Sequence, residues 1–176
     1  GALSVADAAT PERREALYAE VVGRLGGLAD HAERSGLEAL LVEPTPLPRE
    51  IPSTIAEAKR LVADTSGGAV PLWFVIDVGH ALYRPLYGED ASLVPWLTEL
   101  RDHIGVLHLQ NHDYRADAHW GWPDARGSYE PAGFHREVGE AGLDHLPVFI
   151  EVFSPFEQAD DEIVPLIRSS LAACRP

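Results

Sequence analysis

Four apolar runs in this chain each lead to a residue that can ligate a metal or move a proton. LEALLVEP (37–44) leads to Glu43, and PLWFVIDVGH (71–80) leads to Asp77. The run from Ile104 to Leu107 leads to His108, and LPVFIEVF (146–153) leads to Glu151. Three carboxylates and one imidazole form a hard, oxygen-rich donor set. Such a set suits Mn²⁺ first, with Mg²⁺, Co²⁺ or Zn²⁺ as alternatives. It leaves positions open for two substrate oxygens, such as a sugar carbonyl and the neighbouring hydroxyl. The cation would act as a Lewis acid and stabilise an enediolate. Two carboxylates on opposite sides of the substrate would remove and return a proton. Glu43 and Glu151, on the outer two runs, are the candidates for both jobs.

Each residue also has an ordinary reading. A lone acid after a strand is commonly a helix cap or a solvated loop residue, and a lone histidine is commonly structural. Four in succession, each after an apolar run, favour the functional reading. Further candidates follow the same runs. His80 lies three residues after Asp77, beyond a glycine, and could hydrogen-bond a substrate oxygen. His112, Asp113 and Arg115 follow His108, and Arg115 could hold an anion bidentately. His119 and Trp120 lie in a loop that could form a lid, one wall of a pocket, or a plug. Arg49, just beyond Glu43, could meet a phosphate. His31, His103 and His145 sit on helices or at strand starts and read as structural. Cys174 reads as idle. There is no Gly-rich phosphate loop and no Gly-x-Ser-x-Gly elbow.

The elements that must position these residues alternate along the chain. Thr10-Pro11 starts a helix over 10–35, with Leu17, Val21, Val22, Leu25, Leu28 and Ala32 at helical spacing and Gly36 as its stop. The strand 37–44 follows. A helix over about 54–64 is capped by Ser53 or Thr54, then comes the strand 71–80. A helix over 92–103 precedes the third strand, and 114–130 is a polar, Trp-rich loop. A short helix over 131–142, the strand 146–153 and a helix over 160–174, kinked or started at Pro165, complete the series. Strands alternating with helices predict an α/β fold of parallel units. Continuously apolar strands predict a sheet covered on both faces. In such folds the C-terminal strand ends gather at one face, where function sits.

Composition sets the limits. The 176 residues are 45% apolar and 24% charged, enough for one domain (1–176) with its own core. No apolar run reaches the length of a membrane span, and GALSVADAAT, with no basic region before an apolar stretch, does not read as a signal peptide. The first residue is Gly1, which points to a processed, tagged or cut end. One cysteine excludes an internal disulfide and suits a reducing cytoplasm. The net charge of −14, with Lys59 as the one lysine, opposes a nucleic-acid partner.

Glu43-Pro44, Asp77-x-x-His80, His108 and Glu151, in this order, resemble the signature of the xylose isomerase-like superfamily of (β/α)₈ TIM barrels. This group holds sugar isomerases and epimerases with their apurinic endonuclease relatives. The resemblance implies a single divalent metal on Glu43, Asp77, His108 and Glu151. It implies proton exchange by the two glutamates and a substrate contact for His80, as in ketose 3-epimerases. PREIPSTIAEAKRL, VIDVGH and EVFSPFEQADDEI look closer still to a bacterial branch linked to tetrulose-phosphate (erythrulose phosphate) interconversion. Two departures stand out. Those epimerases carry a substrate-binding glutamate six residues after the first metal ligand, where this chain has Arg49, and a cation there fits a phosphorylated or acidic substrate. Their arginine after the metal histidine lies one residue closer than Arg115.

A barrel of this kind needs eight strands, and four are legible here. By family order they are the last four, the C-terminal half, with residues 1–9 as the loop leading into them. Two free sheet edges would invite association. The chain is then a fragment lacking an N-terminal half-barrel, or a homo-oligomer, or covered by something else. The leading reading is a metal-dependent sugar or sugar-phosphate isomerase or epimerase with a small carbohydrate substrate. The alternatives are a lyase or dehydratase using the same chemistry, and a catalytically inactive half-barrel serving as a binding or assembly module. An apurinic endonuclease would need more histidine ligands and a basic groove, which the acidity opposes.

Overall fold

Residues 4–175 are described in the computed structural model of the chain. Four strands form one sheet: β1 (Leu40–Val42), β2 (Leu72–Asp77), β3 (Ile104–Leu109) and β4 (Val148–Ile150), in that order across it. β1 runs parallel to β2 with Leu41 opposite Trp73, and β3 runs parallel to β4 with His108 opposite Phe149. Helices stand between successive strands, as a parallel connection requires. Among the described residues no helix is long and apolar enough to cross a membrane. The contacts divide the chain into two compact units. One holds the chain up to Val75 together with Asp102–Gly105; the other holds Ile76–Arg101 and the chain from Val106 onward.

The first unit contains α1 (Val5–Ala8), α2 (Pro11–Arg34), β1 and α3 (Ile55–Thr65). Residues 4–9 thus include a helical turn where the sequence predicted only a loop, because Ser4 Oγ accepts the Asp7 N–H and caps it; residues 1–3 lie outside the described residues. Pro11 opens α2 as predicted, but Thr10 Oγ1 donates to the Ala6 carbonyl and leaves the first turn uncapped. The other end follows the glycine rule. Gly36 has φ 74°, and the Gly36 and Leu37 N–H groups bond the Glu33 and Ala32 carbonyls. Ala29 and Ala32 of α2 pack with Val70 and Leu40, so small side chains bring the helix close to the strand side. Leu28, expected on the apolar face, is exposed. Thr54 Oγ1 accepts the Glu57 N–H, and the Glu57 carboxylate reaches back to the Ser53 N–H, so α3 starts with a reciprocal cap. Tyr18 donates to Asp64 at 2.7 Å, tying α2 to α3.

The second unit contains α4 (Val78–Ala81), α5 (Arg84–Tyr87), α6 (Val94–Glu99), α7 (Pro131–Glu140) and α8 (Asp160–Ala173). The run predicted as strand through His80 ends at Asp77 instead. The Asp77 carboxylate accepts the His80 N–H at 2.9 Å and turns the chain into α4. The helix predicted over 92–103 is cut to α6, and Arg101–His103 forms a 3₁₀ turn. α8 starts at Asp160, not Pro165, which lies inside it. Acids Asp160, Asp161 and Glu162 in its first turn favour that start.

The expectation of a sheet covered on both faces fails at its outer strands. Phe74 and Ile76 of β2 and Leu107 and Leu109 of β3 are buried, but Leu41 of β1 is 50% and Phe149 of β4 57% exposed. β1 and β4 are also three residues long where eight were predicted. Each has a ladder partner on one side only, so its ends lack cooperative pairing.

Candidate functional site

Within the second unit, Asp77, His108 and Glu151 come together. Asp77 is the last residue of β2, His108 the last but one of β3, and Glu151 the first after β4. The Glu151 N–H bonds the Leu109 carbonyl at 3.0 Å, which prolongs the ladder one step and sets Glu151 beside His108. His108 Nδ1 lies 2.7 Å from Glu151 Oε2. One ligand atom from each of the three residues lies within 4.8 Å of the others. Glu43 belongs to the first unit, directly after β1, half-buried with its Oε1 shielded from solvent.

Asp77 is the most informative of these residues. It is 1% exposed. Its Oδ1 accepts the His80 N–H and the Gln110 Nε2–H at 2.8 Å, while its Oδ2 is buried and accepts no hydrogen bond. Burial pushes its carboxyl up, with His80 and the two hydrogen bonds opposing. A buried carboxylate oxygen without a donor is costly unless a cation meets it. The orphaned oxygen beside a second carboxylate and an imidazole is therefore a donor set that fits a divalent cation.

Sequence reasoning missed the scaffold around this trio. Gln110 Nε2 bonds Asp77 and, at 3.2 Å, Asp117 Oδ1, while its Oε1 accepts the His119 N–H at 2.8 Å. Asp117 Oδ1 in turn lies 2.8 Å from His119 Nε2 and 3.2 Å from His80 Nε2. Burial raises the Asp117 carboxyl, but bonds from His119 and His80 outweigh it and hold it well below the usual carboxylate range. His119 responds in kind: burial opposes its charge, yet Asp117 lifts its imidazole above the ordinary value. His80, Asp117 and His119 thus form a second group of potential ligands. The available signal was Gly79. A Cβ there would stand 2.6 Å from the Gln110 amide, so Gly79 marks where Gln110 must pass.

The remaining predicted residues divide. His80 and His119 both join this group, and His119 adopts φ 49° while its ring stacks on Phe153 at 4.1 Å. Such backbone strain in a non-glycine residue clusters at functional positions. His112 is fully buried, stacked on Tyr129. Arg115 is exposed and bonds Glu89 at 3.1 Å. Arg49 is exposed in the first unit and lines a cavity of about 390 Å³ with Val5, Ala8, Ala9, Leu47 and Pro48. The Trp-rich loop is anchored rather than free. Asn111 pairs with Trp120 and holds the Gly121 and Asp124 carbonyls, and the Trp122 N–H bonds Ser170 of α8.

The family described as Xylose isomerase-like TIM barrel matches residues 2–169. The chain belongs to this family. A crystal structure of a Rhodospirillum rubrum protein, proposed to be a xylose isomerase, is similar with 35% identity and a TM-score of 0.93, over 99% of this chain and 59% of that one. The curated D-erythrulose 1-phosphate 3-epimerase of Brucella abortus is 25% identical over 94% of this chain and 56% of its own length. The apo 3-keto-D-glucoside 4-epimerase of E. coli shares the fold with 21% identity and a TM-score of 0.61, over 88% of this chain and 52% of that one. The xylose isomerase-like chain thus spans less than three fifths of these relatives' lengths.

Proposed function

We propose that this chain carries the metal-binding part of a divalent-metal-dependent isomerase or epimerase acting on a sugar phosphate of the tetrulose type. The observation that carries the reading is the convergence of Asp77, His108 and Glu151, with one Asp77 oxygen buried and without a donor. Glu43 completes the ligand set, and Mn²⁺ suits it best. A bound cation supplies positive charge for the oxygens of a substrate carbonyl and its neighbouring hydroxyl. The protein's own groups then do the proton work. One of Glu43 and Glu151 takes the proton from the carbon beside the carbonyl, and the other returns a proton. His80 and His119, oriented by Asp117, hold substrate hydroxyls.

The substrate class rests on two supports. The Brucella relative's name specifies erythrulose 1-phosphate, and Arg49 and Arg115 offer cations for an anionic end. The net charge of −14 disfavours nucleic acid, and the lone cysteine suits the cytoplasm. A second copy or an N-terminal half-barrel covers the outer strands. The same exposed Leu41 and Phe149 favour one other reading, an inactive assembly module. Solvent-hydrogen exchange into erythrulose phosphate separates the two. The parent with Mn²⁺ exchanges the hydrogen beside the carbonyl and Glu151→Gln does not; exchange that survives in the variant removes Glu151 from the proton path, and no exchange in a metal-loaded parent favours the inactive module.

A further inference from the structure

Arg115 is not alone on its surface. Arg84, at the start of α5, directs its guanidinium to the same acceptor. Arg84 Nη1 lies 3.2 Å from Glu89 Oε2 and Arg115 Nη2 lies 3.1 Å from Glu89 Oε1, so each oxygen of one carboxylate is taken by a different arginine. Two guanidinium groups converging on one small anion is the arrangement that binds a phosphate. Three features distinguish it from an incidental surface pair. Arg84 is held in place: its guanidinium stacks over the Tyr114 ring at 4.5 Å, and its N–H bonds the Tyr114 carbonyl. Its Nε is buried and has no acceptor, leaving a donor unused by Glu89. Tyr114 adopts φ 65°, a strained conformation for an aromatic residue. Glu89 itself is 68% exposed on the turn after Gly88, so little holds it.

We propose that Arg84 and Arg115 form the subsite for the anionic end of the substrate, a phosphate monoester, and that the Glu89 carboxylate occupies it as a surrogate until phosphate displaces it. Both arginines follow strands that deliver candidate metal ligands: Arg84 stands seven residues after Asp77 of β2, and Arg115 seven residues after His108 of β3. The inference rests on the sugar-phosphate reading and says which cations serve it, Arg49 being the competitor. Displacing Glu89 exchanges its two charge-assisted pairs for two to the phosphate, and the buried Arg84 Nε–H gains an acceptor.

The test is titration of the full chain with inorganic phosphate at pH 7.5, followed by calorimetry. The expected result is saturable binding that is lost in Arg115→Gln and in Arg84→Lys, and kept in Arg24→Gln, a surface control in the first unit. Glu89→Ala binds tighter, by up to about thirtyfold, because each of the two surface ion pairs it removes costs about 1 kcal/mol at most to open. Arg115 is exposed, so its replacement leaves folding intact; circular dichroism checks the Arg84 variant. Absence of binding in the parent, equal binding in Arg115→Gln, weaker or unchanged binding in Glu89→Ala, or loss in Arg49→Gln with Arg115→Gln unaffected would each overturn the proposal. Mn²⁺ binding, measured separately, reports on the metal site and fails independently of phosphate.

Discussion

At the residue scale, the site depends on side chains that the sequence advertised and on others it concealed. His108 and Asp77 were legible because each follows an apolar run that must be a strand. Gln110 and Asp117 were not, because an amide and an acid in a polar loop carry no periodicity. Gly79→Ala tests how tightly the concealed scaffold is built. Its methyl would meet the Gln110 amide at 2.6 Å, so the amide must leave Asp77. Overpacking of this kind costs about 1–3 kcal/mol, readable as a lower urea midpoint; an unchanged midpoint would show that Gln110 has room to move. His112 gives a pH signature. Burial first, with help from Arg84, pushes its imidazole from 6.5 down to about 4. The unfolded chain therefore binds a proton between those values that the folded chain refuses. Stability is undiminished above pH 6.5 and falls as pH drops toward 4, by about 3 kcal/mol from this group. Unfolding of parent and His112→Phe across that window should show the steeper loss in the parent; parallel curves would mean that His112 titrates normally.

At the element scale, the sequence located every strand and the longer helices, because apolar runs and capping residues are local signals. Lengths were less legible. β1 and β4 shrink to three residues since the number of ladder partners is a tertiary fact. The strand predicted through His80 stops early because Asp77 serves as a helix cap as well as a candidate ligand. The loop over 114–130 reads from sequence as lid, wall or plug, and its hydrogen bonds oppose a mobile lid. Asn111 is its clamp: the amide bonds Gly121, Asp124 and the Tyr129 N–H, and a Cβ at Gly127 would collide with it. Asn111→Ala leaves buried carbonyls and an N–H unpaired, at about 1–3 kcal/mol. Amide exchange across 111–130 should quicken in the variant while α7 stays protected. Uniform quickening would mean the clamp supports the whole second unit, and no change would mean it supports nothing.

At the scale of the whole molecule, family membership was legible and assembly was not. The order Glu43, Asp77, His80, His108, Glu151 carries the family, but no residue says what lies against Leu41, Trp73 and Phe149, each more than a third exposed. Large apolar side chains left exposed on a sheet favour association. Sedimentation velocity should show a mass that rises with concentration and falls back in Phe149→Ser; a constant monomer mass would contradict this. The direct measurement of metal binding is thermal unfolding of the chain titrated with Mn²⁺, beside the double variant Glu43→Gln, His108→Ala. A cation that binds only the folded state adds about 2.7 kcal/mol at a hundred times its dissociation constant. With Mn²⁺ the midpoint should rise in the parent and stay unchanged in the variant. A parent that melts cooperatively at the same temperature with and without Mn²⁺ would contradict the metal site.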